Sequence, residues 1–124
     1  MTALEEIKEV TSASAQTAKR AMLNIPSHPS EEELSQFRDM TLDLRADLLA
    51  YYKVCVLEVR RADEPEQIAA IWKEAFAFFD ALLAVWSELA SGFEPVTQSV
   101  LDDYRKTLER LKATVAEHYE FHAE

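Results

Sequence analysis

Cys55, His118 and His122 are the residues of this chain whose types could act chemically together. Counted at about 1.5 Å per residue along antiparallel helices, Cys55 falls level with Ile71 or Trp72 and with His118, and His122 lies one turn further out. Two histidines four apart share a helix face, which is metal-ligand geometry once a third and a fourth group are supplied. Helical bundles that hold two irons take those groups from Glu-x-x-His, and here Val115 and Tyr119 stand where the glutamates belong. With 3 histidines in the chain, a histidine-rich oxygen-carrier site is also short of ligands. The pair is therefore expected to be idle, with no metal and no cofactor.

A thiol nucleophile needs a base and an oxyanion site, and no Gly-rich loop, Gly-x-Ser-x-Gly or phosphate cradle is present to supply them. Cys55 reads instead as a small buried hydrophobe. Histidine phosphotransfer requires an exposed histidine in mid-helix, whereas His28 lies in a loop between Pro26 and Pro29. Asp39, Asp43 and Asp47 recur every four residues, so they line one helix face and repel by a few tenths of a kcal/mol per pair, roughly. A straight helix cannot wrap a cation as a loop does, so basic side chains of a neighbouring helix, or solvent, are expected to offset the repulsion. The chemistry-bearing residues thus predict no enzyme.

The composition predicts what must position these residues. The chain has 124 residues, 48% of them hydrophobic, with 1 glycine and 4 prolines, and this scarcity of turn formers favours a few long helices over a sheet. The net charge is −10, and the basic residues are scattered singly or in pairs such as Lys19-Arg20 and Arg60-Arg61. A phosphate-binding groove needs clustered cations, so neither nucleic acid nor an anionic membrane surface is an expected partner. The lone Cys55 excludes an internal disulfide framework. The N-terminal MTALEEIKEV carries acids where a signal peptide needs a positive region, and no apolar run is long enough to span a bilayer. A cytoplasmic location is the expectation.

The periodicity predicts an all-α domain, an antiparallel up-down-up-down four-helix bundle, with helices over residues 2–23, 30–62, 65–91 and 97–122. The first helix has a face of small residues, Thr11, Ser14, Ala18 and Ala21 among them, and should be held most loosely. Ser30 with Glu33 reads as a capping box, Pro65 as a first-turn proline, Gly92 as a left-handed C-cap, and Thr97 or Ser99 as the last helix's cap. The third helix carries two apolar seams about 100° apart. One runs Ile68, Ile71, Ala75, Phe78, Leu82, Val85, Leu89; the other runs Trp72, Phe76, Phe79, Leu83, Trp86, Ala90, Phe93.

An ordinary surface helix needs one seam, so the second, with the line Leu49, Tyr52, Val56, Val59 on the second helix, is surplus to a monomer unless the first and fourth helices cover it. The expected function is a non-enzymatic interaction or scaffold module that homodimerises and offers an apolar aromatic face to an unidentified protein partner. Leu49, Tyr52, Val56, Trp72, Phe76, Phe79 and Trp86 are its interface candidates. The alternative is a binder of a small apolar ligand at the Tyr51, Tyr52, Trp72, Phe76 end, or a protein that spreads on a lipid-like surface. For the latter, the Ala-rich and Ser/Thr-rich first helix resembles in composition the helices of polyester-granule phasins.

Overall fold

The structure, a computed structural model, describes residues 2–26 and 28–123, with side chains described as far as Tyr119. Four helices account for nearly all of it: α1 Ala3–Leu23, α2 Glu31–Arg61, α3 Pro65–Ala90 and α4 Pro95–Ala123, with no strand among the described residues. Their starts follow local chemistry. Thr2 Oγ1 accepts the Glu5 N–H at 3.1 Å to cap α1. Ser30 and Glu33 satisfy each other's backbone N–H groups in a full capping box, at 3.2 and 3.0 Å. Pro65 opens α3, where its missing N–H leaves no bond unmade.

The turn between α3 and α4 departs from expectation. No described residue has a positive φ, so Gly92 is not a left-handed cap. Ser91 stays right-handed (φ −61°, ψ −23°), and the N–H groups of Gly92 and Phe93 reach back three residues to the carbonyls of Leu89 and Ala90, at 3.3 and 3.1 Å. These short turns satisfy the last carbonyls without the reversal that a left-handed residue provides. Helix α4 then begins at Pro95, two residues before the expected start, with the Gln98 N–H bonded to the Glu94 carbonyl at 2.9 Å. Thr97, expected as its cap, is buried inside the first turn.

Side-chain pairs give the helix directions. Trp86 meets Tyr104, Asp80 meets Lys112 and Trp72 meets His118, so α3 and α4 run in opposite senses. Tyr51 meets Phe78 and Phe79 while Glu58 and Arg61 lie by Gln67 and Ile71, so α2 and α3 do too. Arg45 reaches Thr107 and Tyr52 reaches His118, so α2 and α4 are neighbours that run the same way. Among the described residues α1 packs on α2 and more lightly on α3, and does not approach α4.

This order decides which seam of α3 lies deeper. Trp72, Phe79 and Trp86 are buried, facing Tyr104, Leu108 and Val115 of α4 and Leu48, Tyr51 and Cys55 of α2 in one continuous cluster. Ile71, Phe78, Leu82, Val85 and Leu89 of the other seam are half-buried, with only Ala75 closed off. Both seams therefore pack on the core, the second more deeply at Trp72, Phe79 and Trp86, where α4 covers it, than the first. The physical reason is the partner: α4 brings large side chains across Trp72 to Trp86, while α1 offers Thr11, Ala15 and Ala18 and touches α3 through Lys8, which pairs with Glu74 and lies 5.7 Å from the Phe78 ring.

Candidate functional site

At one end of the core the expected convergence takes place in part. The His118 ring stacks on Trp72 with centroids 4.6 Å apart and planes 15° apart. The Tyr52 hydroxyl lies 3.2 Å from His118 Nε2, donating to it when that nitrogen carries no proton. The Tyr52 and Trp72 rings lie 6.1 Å apart. A stacked pair of this kind contributes on the order of 1 kcal/mol beyond the area it buries. His118 is thus a packing residue with one ring face and one nitrogen already engaged. Among the described residues the buried indole Nε1 of Trp72 has no hydrogen-bond partner, and neither has the buried Tyr104 hydroxyl.

Cys55, one turn along α2 from Tyr52, is a free buried thiol. Burial pushes it up to about 11, against a smaller opposing effect of its hydrogen bond with Tyr51. Burial likewise pushes the Tyr51 and Tyr104 hydroxyls well above the usual phenol value. All three groups are held in their neutral forms by desolvation. Among the described residues no three of His, Cys, Asp or Glu gather in metal-binding geometry. The His122 side chain lies outside the described residues.

The interface candidates divide by depth. Trp72 and Trp86 are 2% and 3% exposed and Phe79 is fully buried, so these three belong to the core and are not surface groups. Trp86 lies against Tyr104 with ring centroids 4.0 Å apart. Phe76 is half-buried beneath Lys112, whose Nζ lies 5.4 Å from the ring centroid and bonds Asp80 at 2.6 Å. Tyr52, Val56 and Val59 are half-buried and pack against the core cluster. Leu49 is open, at 43% exposure.

Leu49 has company that the sequence reading missed. Leu42 and Leu57 on the same helix are 50% and 48% exposed, and Ala46 and Lys53 between them are exposed too. At 100° per residue Leu42, Ala46, Leu49, Lys53 and Leu57 fall on one face of α2, with the half-buried Val56 at its edge. That face is turned away from Leu44, Leu48, Tyr51 and Cys55, which enter the core. The signal was present as the seven-residue spacing of Leu42, Leu49 and Val56, overshadowed by the core seam on the opposite side. Along this helix the Asp39, Asp43 and Asp47 carboxylates have no cation within ion-pair distance among the described residues.

Among the described residues the best-formed surface depressions are not lined by Tyr51, Tyr52, Trp72 or Phe76. One of about 330 Å³ opens at the other end of α3, between Ser87, Ala90 and Ser91 and the Gln98, Asp102 and Arg105 side chains of α4. No helix is long and apolar enough to cross a membrane among the described residues. The fold and its surface define an all-α four-helix domain with an aromatic core and, among the described residues, an outward apolar face on α2. Comparisons with protein-family models, with curated proteins and with solved structures return no match.

Proposed function

We propose that the chain is a non-enzymatic helical interaction module that works as a homodimer, able to engage a further protein partner, and that its contact surface is the outer face of α2. The single observation that carries this reading is the trio Leu42, Leu49 and Leu57, each close to half exposed on one face of one helix. Isolated surface leucines are ordinary, but aligned ones form a continuous apolar strip of the kind that soluble chains cover by association. The packing of Trp72, Phe79 and Trp86 into the core supports placing the strip on α2 rather than on the aromatic seam.

Light scattering of the purified chain at micromolar concentration tests the reading. A dimer is the expected result, and a monomer at the highest attainable concentration would sink it. An apolar ligand retained by the protein through purification and seen by native mass spectrometry would move the function to the ligand-binding alternative.

A further inference from the structure

We infer that the second copy docks on α2 in antiparallel register, about a twofold axis that passes between Leu49 and Ala50. The inference rests on the self-association reading above and adds the register and the charges that select it. The outer face of α2 is asymmetric in charge. Asp39 lies toward its start and Lys53 and Arg60 toward its end, all three exposed and none in an ion pair within the chain among the described residues; Asp43 lies at the edge of the face, bordering α1, and the exposed Arg38 beside Asp39 leaves the start of α2, with Glu31 and Glu32, net acidic. A parallel copy would set like charges side by side along the whole contact. An antiparallel copy sets each end of the strip against its opposite.

The axis follows from the side chains. Leu42 and Leu57 are equidistant from the midpoint between Leu49 and Ala50, so a twofold there lays the Leu42 of each copy on the Leu57 of the other. The same operation brings Ala46 against Lys53, Asp39 against Arg60, and Lys53 within one turn of Asp43, while Leu49 meets its own counterpart beside the axis. A twofold interface repeats every contact, so the apolar strip and both ionic ends are each used twice. The overlap fits the helix, because Asp39 to Arg60 lies wholly within Glu31–Arg61 and spans about 32 Å at about 1.5 Å per residue. The register also brings cations near two of the three acids spaced four apart on α2, Asp39 and Asp43. Their mutual repulsion is uncompensated within one chain, and the partner's Arg60 and Lys53 are the cations that relieve Asp39 and Asp43.

Sedimentation equilibrium at micromolar concentration tests this with three substitutions at exposed positions, where effects on folding are small. Leu49→Glu puts two carboxylates beside the axis and is expected to raise the dimer dissociation constant at least about a hundredfold. Asp39→Arg and Arg60→Asp, each alone, set like charges at both ends and are expected to weaken their own dimers about tenfold. Mixed one to one, the two charge variants regain both complementary pairs and are expected to form a heterodimer of about wild-type affinity. A wild-type dimer indifferent to Leu49→Glu, or charge variants that gain nothing on mixing, would overturn this register while leaving self-association standing. A monomeric wild type would remove both. Circular dichroism of each variant checks that it folds, and the charge variants carry the test should Leu49→Glu not.

Discussion

Replacing Gly92 by alanine separates two geometries of the α3–α4 turn by the sign of the effect. A glycine just past a helix end is ordinarily left-handed, and alanine there costs on the order of 1–2 kcal/mol because its Cβ crowds the neighbouring carbonyl. In this turn Gly92 does not have a positive φ, and a Cβ built on it would meet the Leu89 carbonyl oxygen at 3.8 Å, an ordinary contact. The folded state therefore loses nothing, while the unfolded chain gives up the extra freedom of glycine, a gain of about 0.4–1 kcal/mol. For a domain of this size that is a rise of about 2–4 °C in Tm. Urea unfolding followed by circular dichroism reads it as a higher midpoint at unchanged slope. A midpoint lowered by Gly92→Ala would mean that the turn is left-handed after all and that α4 does not start at Pro95 as described.

Trp86→Ala, which takes a 3% exposed ring from its place against Tyr104, is expected to cost about 3–5 kcal/mol in the same assay, with Leu49→Ala within about 0.5 kcal/mol in dilute monomer; equal effects would contradict the assignment of one residue to the core and the other to the surface. Stability should also fall as pH rises from about 9 through about 11, because the unfolded chain releases the Cys55 proton at its ordinary value of 9.0 while the folded chain holds it to about 11, so the unfolded state binds fewer protons in that window. Below about 9 the contribution is fully present. Tyr51, raised in the same sense by burial, extends the loss to higher pH. Cys55→Ala is expected to flatten the early part of the decline, and a urea midpoint with the same pH dependence in both proteins would refute the assignment.

Helix number and the starts of α2 and α3 were legible in the chain because they depend on residues a few positions apart. Ser30 and Glu33 close their box within one turn, Pro65 opens α3, and the small-residue face of α1 buries Thr11 and Ala18. Level placement of Trp72 and His118 followed from helix rise alone. The handedness at Gly92 was not legible, since a glycine permits either sign of φ and the backbone route into Pro95 chooses between them. Nor was the choice between the two seams of α3. Both are apolar over the whole helix, and which one is buried more deeply depends on where α4 lies, beside α2 and running its way, a relation between residues more than fifty positions apart such as Arg45 with Thr107 and Tyr52 with His118. The same placement left the outer side of α2 bare. The exposure of Leu42, Leu49 and Leu57 comes from α1, α3 and α4 all packing on the other faces of that helix, which no local pattern of residues encodes.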